Sequence, residues 1–80
     1  MRTVVLYGRE GCCLCDDARE LLLRARARHE FELVERDIDS DERLLRCYLE
    51  RIPVIEIDGV EALELLIDAG QLDRALGQDP

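Results

Sequence analysis

Eighty residues of 9.2 kDa are the size of one small domain, read as 1–80. Hydrophobic residues make up 48% of the chain and charged residues 38%, with eleven Arg, no Lys and nineteen Asp plus Glu, for a net charge of −8. That balance argues against nucleic acid and anionic membrane surfaces as partners, since both attract clustered positive charge; the apolar runs fall far short of the ~20 residues that span a bilayer, and Met1 to Gly8 holds too little apolar sequence for a signal peptide. The expectation is a soluble, cytoplasmic monomer.

In chain order, Thr3-Val4-Val5-Leu6-Tyr7 is a β-favouring run closed by Gly8 and Gly11, and reads as a buried strand. Leu14, Ala18, Leu21, Leu22 and Ala25 then recur at helical spacing, with Asp16 and Asp17 in the first turn and Arg24, Arg26 and Arg28 expected in the last, as the helix dipole prefers. His29-Glu30 leaves that helix, and His29 is expected to be solvated. Phe31 to Arg36 is a second strand. Asp39 or Ser40 is expected to cap a short helix from Asp41 to Tyr48, with Leu44 and Leu45 turned inward. Ile52 to Ile57 reads as a third strand whose Pro53 sits at its start, where a missing donor is tolerated. Asp58-Gly59 is a strong hairpin signal, returning Val60 to Leu65 as an antiparallel edge. Asp68 caps a last helix holding Leu72, Ala75 and Leu76, which Gly77 closes before a frayed tail at Gln78-Asp79-Pro80. The order β-α-β-α-β-β-α predicts an α/β fold with one mixed four-stranded sheet and three helices, its first two crossovers parallel and right-handed.

The cysteines carry the chemistry. Cys12, Cys13 and Cys15 lie together where the first strand gives way to the first helix, and Cys47 stands apart. In a cytosolic chain such a cluster is more often catalytic or metal-binding than structural. Residues three apart share a helix face and residues one or two apart do not, so Cys12 and Cys15 are the pair that can close a disulfide. Backbone N–H groups at a helix start favour a thiolate, which makes Cys12 the expected exposed nucleophile and Cys15 the more buried resolving thiol. Arg9 and Arg51 are the cations expected to help the thiolate. Cys47 is expected to be a small buried hydrophobe. Tyr7 ends its strand beside the cluster, as a core residue or as a wall of the thiol pocket.

Tyr7-x-x-x-Gly11-Cys12-x-x-Cys15, then Arg51-Ile52-Pro53-Val54 and Asp58-Gly59, resemble the glutaredoxins and glutaredoxin-like proteins of the thioredoxin fold. Cys12-Cys13-Leu14-Cys15-Asp16-Asp17-Ala18 and Asp37-Ile38-Asp39-Ser40-Asp41 look most like a small bacterial glutaredoxin-like subgroup. The resemblance implies a cis Pro53 packed against the thiol pair, an Ile52 backbone that pairs with a bound thiol substrate, and Arg9 and Arg51 meeting the glycine carboxylate of glutathione. The chain departs from glutaredoxins in two places. Cys13-Leu14 stand where Pro-Tyr is usual, and Val60 to Leu65 lack the Gly-Gly-x-Asp stretch that holds the γ-glutamyl end. With no bound cofactor expected, the electron source is therefore either glutathione or a thioredoxin-reductase-like flavoenzyme.

The expected function is a dithiol–disulfide oxidoreductase that reduces protein or small-molecule disulfides through Cys12 and Cys15. Two alternatives come from other classes. One is a zinc or iron–sulfur module built from Cys12, Cys13 and Cys15 with Cys47 or a second chain, although one helical turn poorly aims three sulfurs at a tetrahedral centre. The other is a non-catalytic adaptor, because fold alone does not give function.

Overall fold

A computed structural model describes residues 1–77, and the expected tail at 78–80 lies outside the described residues. β1 spans Arg2–Gly8, α1 Cys13–Ala25, β2 Phe31–Asp37, α2 Glu42–Tyr48, β3 Val54–Ile57, β4 Val60–Glu64 and α3 Ala69–Gly77, with a 3-10 turn at Ile38–Ser40. The strands stand in the order β2-β1-β3-β4, so the chain forms the mixed four-stranded sheet and three helices that its sequence predicts.

Alternation along the strands decides which face each helix covers. Val4 and Leu6 of β1 and Ile55 and Ile57 of β3 point to one side, where they bury Ala18, Leu22 and Ala25 of α1 and Leu72 and Leu76 of α3. Tyr7 and Val54 point to the other side and meet Ile38, with Leu44, Leu45 and Tyr48 of α2 packed over them. Leu22, Ile55, Leu72 and Val4 are fully enclosed, and each such side chain contributes about 1.5–3 kcal/mol over leaving it in water.

β1 and β2 run parallel from Arg2 opposite Phe31 to Gly8 opposite Asp37. The second crossover, expected to be parallel, is not. β3 runs antiparallel to β1, with Tyr7 opposite Val54 and Val4 opposite Ile57. The cause is length. The seven residues of α2 span about 10 Å, whereas the seven residues of β2 rise roughly 23 Å. The short helix does not return the chain to the far end of the sheet, so β3 starts where β2 finished.

Smaller differences follow from local hydrogen bonding. Asp41, not Asp39 or Ser40, caps α2, its carboxylate accepting the Arg43 N–H at 2.8 Å. Asp37 accepts the Asp39 N–H at 2.9 Å and opens the 3-10 turn instead. β3 begins at Val54 rather than Ile52, and β4 ends at Glu64 rather than Leu65. The hairpin between them has φ of 51° at Asp58 and 85° at Gly59, the two positive values a tight primed turn requires. Asp68 caps α3 as expected: its carboxylate accepts the Gln71 N–H at 2.7 Å, and the Gln71 side chain accepts the Asp68 N–H at 3.1 Å.

Candidate active site

Between β1 and α1 the chain turns within four residues, and Gly11, at φ 82°, supplies the left-handed step. That step sets Cys12 at the N-cap of α1, in extended conformation, with its Sγ accepting the Cys15 N–H at 3.2 Å. Sulfur thus fills the place usually taken by the oxygen of Ser, Thr, Asp or Asn. A donor aimed at a sulfur binds the anion more strongly than the neutral thiol, because one partner is then charged. Cys12 is half-buried and Cys15 is buried, and both are free thiols.

Cys15 is only 3% exposed. Burial pushes its thiol from an ordinary 9.0 up to about 11, the hydrogen bond with Cys12 adds to the rise, and a backbone hydrogen bond from Arg9 opposes it. At neutral pH the pair therefore holds a protonated inner thiol against the outer sulfur. The seat of Cys15 depends on Gly8, which strand logic alone treats as a terminator. A Cβ at Gly8 would lie 3.1 Å from both Cβ and Sγ of Cys15, closer than ordinary contact.

The other two cysteines stand outside this pair. Cys13 is exposed, as its helical offset from Cys12 and Cys15 implies. Cys47 is also exposed, against the expectation of a buried hydrophobe. Leu44, Leu45 and Tyr48 take the inward face of α2, and Cys47 falls on its outward side. Among the described residues no three His, Cys, Asp or Glu side chains converge as a metal site would require.

The remaining candidates divide between two regions. Arg9 joins Gly8, Gly11, Cys15 and Arg19 around a cleft of about 420 Å³ between α1 and the ends of β1 and β2. Its guanidinium is held by Asp39 at 3.1 Å. Arg51 lies elsewhere, bonded to Glu61 at 2.6 Å and Glu64 at 2.9 Å and lying over the Tyr48 ring at 5.3 Å. Tyr7 packs on the α2 face, stacked on Tyr48 with ring centroids 4.5 Å apart and donating to Glu56 at 3.3 Å. Burial, then the Glu56 charge, pushes the Tyr7 phenol up to about 12. The Ile52–Pro53 bond is cis, as the resemblance implies. The Ile52 N–H, however, already donates to the Tyr48 carbonyl at 3.0 Å, so a substrate backbone that pairs with it must displace that bond.

Two features of the region escape a reading of the sequence. Gly8 is one, because its role is visible only once α1 crosses the end of β1. The other is Leu65, with φ of 63° and its N–H shared between the Pro53 carbonyl at 2.9 Å and the Arg51 carbonyl at 3.3 Å. A left-handed leucine costs on the order of 1–2 kcal/mol, and here those two carbonyls hold it. His29, expected in solvent, instead sits half-buried with Nε2 3.2 Å from Asp73, which also accepts from Arg28.

Comparison with known proteins bears on this geometry. The profile of the Glutaredoxin-like domain (DUF836) matches residues 3–77. A protein from Nitrosomonas europaea solved by NMR is 34% identical, with 94% of this chain and 91% of that chain covered and a TM-score of 0.80. A crystal structure from X. campestris is 38% identical, covering 96% and 99%, also at a TM-score of 0.80. A thioredoxin from Halobacterium salinarum, at 15% identity, shares the fold at a TM-score of 0.71 over 94% of this chain and 71% of that one. Among curated proteins none matches. The fold is thioredoxin-like, and fold and family profile together support a redox-type function. No described helix is long and apolar enough to cross a membrane.

Proposed function

The chain belongs to the glutaredoxin-like domain family, and from that premise we propose that it is a thiol–disulfide oxidoreductase acting through Cys12 and Cys15. The observation that carries the reading is the asymmetry of the pair: Cys12 Sγ, half-buried at the helix cap, takes the Cys15 N–H, while Cys15 is enclosed and its thiol is pushed up to about 11. Cys12 thiolate attacks one sulfur of a substrate disulfide, forming a mixed disulfide and releasing the other sulfur as a thiolate. Cys15 then loses its proton, which the departing thiolate takes up, and attacks Cys12 Sγ. The second substrate thiolate leaves, and the Cys12–Cys15 disulfide remains. Two electrons pass from the pair to the substrate, which ends as one thiol and one thiolate, the latter taking its proton from water.

Arg9 and Arg51, the cations that would meet glutathione, already face Asp39 and the Glu61–Glu64 pair. A tripeptide of net negative charge must compete with those carboxylates on a chain of net −8. That favours a thioredoxin-reductase-like flavoenzyme over glutathione as the electron source. The test is reduction of a small disulfide by the single-cysteine variants. Cys12→Ser should abolish attack, whereas Cys15→Ser should still attack and accumulate the mixed disulfide, visible by mass spectrometry. Equal loss in both variants with no adduct would remove the assigned roles.

A further inference from the structure

Seven large apolar side chains are exposed among the described residues, and three of them, Leu14, Leu65 and Leu66, line one hollow. The hollow is about 390 Å³ and lies between the first turn of α1 and the segment joining β4 to α3, with Asp17, Asp68 and Gln71 on its rim. Leu14 sits between Cys13 and Cys15, so one wall of the shelf shares its helical turn with the redox pair. Leu66 is 76% exposed. Leu65 is held in its left-handed conformation by the Arg51 and Pro53 carbonyls, which ties the shelf to the cis-proline segment.

We propose that this shelf docks the peptide flank of a protein disulfide, one that is apolar beside its cysteine and basic further out. The proposal rests on the oxidoreductase reading above and names its substrate class. Three observations select this occupant. The floor is leucine, which offers nothing to a carboxylate or an ammonium group and gains from covering apolar surface. The polar rim carries two carboxylates on a chain of net −8, which repels an acidic tripeptide and attracts basic flanks. Leu14, one wall of the shelf, also lies two residues beyond Cys12 in the first turn of α1, which keeps the shelf within reach of the residues beside a peptide cysteine seated there.

The experiment compares two disulfides on the intact protein: a short peptide disulfide with leucine and valine beside the cysteine and lysine at its ends, and hydroxyethyl disulfide. The variant is Leu65→Gly with Leu66→Ser. Glycine is at ease at the φ of position 65 and Leu66 is already in solvent, so the fold survives, as a urea midpoint checks. The expected result is a peptide-to-hydroxyethyl ratio of kcat/KM lowered by about tenfold, carried in the peptide KM. A peptide with glutamate ends should be reduced less well than the lysine version by the unaltered chain. An unchanged ratio, or no preference for lysine ends, would overturn the proposal. If the unaltered chain reduces neither disulfide, the oxidoreductase reading fails, and the shelf is judged by fluorescence anisotropy of the labelled peptide with serine for cysteine. Binding that the double variant loses supports the shelf, and no binding overturns it.

Discussion

Replacing Gly8 by alanine tests whether the contact between β1 and Cys15 governs the thiol pair. The new methyl carbon would lie 3.1 Å from Cys15 Cβ and Sγ, against the roughly 3.5–4.0 Å of ordinary carbon contacts. Rotating the Cys15 side chain moves Sγ but leaves Cβ in place, so relief requires the first turn of α1 to shift by on the order of 0.5 Å. Overpacking of that kind costs about 1–3 kcal/mol, and stiffening the unfolded chain returns about 0.4–1 kcal/mol. The net loss is about 1–2 kcal/mol, and each kcal/mol lowers Tm by roughly 4–8 °C in a domain of this size. The assay is thermal unfolding of the reduced protein, with the rate at which iodoacetamide labels Cys15 followed in parallel. Gly8→Ala should melt earlier and label Cys15 faster. Gly59→Ala is the control: it strains a left-handed residue in the distant β3–β4 turn, with nothing within 4 Å of the added carbon, so it should melt earlier with a much smaller effect on the Cys15 labelling rate. A Gly8→Ala protein as stable as the original, with Cys15 equally protected, would refute the contact.

Other outcomes follow from burial and charge. Because the folded chain raises the Cys15 thiol from 9.0 to about 11, the unfolded state gives up its proton first; the contribution is whole below about pH 9 and lost as pH rises through about 11, so urea midpoints of the reduced protein should fall across that window and those of the oxidised protein should not follow. Ultraviolet titration should show both phenols ionising above the ordinary 10.0, with a step near 12 that Tyr7→Phe removes. A thiol reagent added to the folded, reduced protein should react with Cys13, Cys47 and Cys12 first, and with buried Cys15 far more slowly until denaturant is added; a fast reaction of all four thiols would contradict the enclosure of Cys15.

Much of this arrangement is legible in the residues because it depends on local rules. The strand-to-helix junction at Cys12, the Asp58-Gly59 turn and the Asp68 cap each follow from a few neighbouring side chains and recur in the structure where the sequence places them. The direction of β3 is not local. It depends on how much of the segment from Asp37 to Pro53 becomes 3-10 turn, cap and helix, and so on how far that segment carries the chain. The candidate cations escape for a related reason. Arg9 and Arg51 look available in a linear reading, but Asp39 is thirty residues from Arg9, and Glu61 and Glu64 reach Arg51 only once β4 folds back. Gly8 and Cys15 are likewise brought together only by the packing of α1 on the sheet.

β1 is an interior strand with the parallel β2 on one side and the antiparallel β3 on the other, and the thiol loop leaves from its end. Backbone amides of such a strand exchange with solvent only when the domain opens as a whole, whereas an outer strand and the turn beyond it open locally at smaller free energy. The loop that leads to Cys12 thus leaves from the strand expected to exchange most slowly, while Leu65 and Leu66 follow β4, the outer strand beside β3 among the described residues. In the proposed reaction the thiol pair would work from an anchored strand end, and any adjustment to a substrate would fall to the outer edge of the sheet.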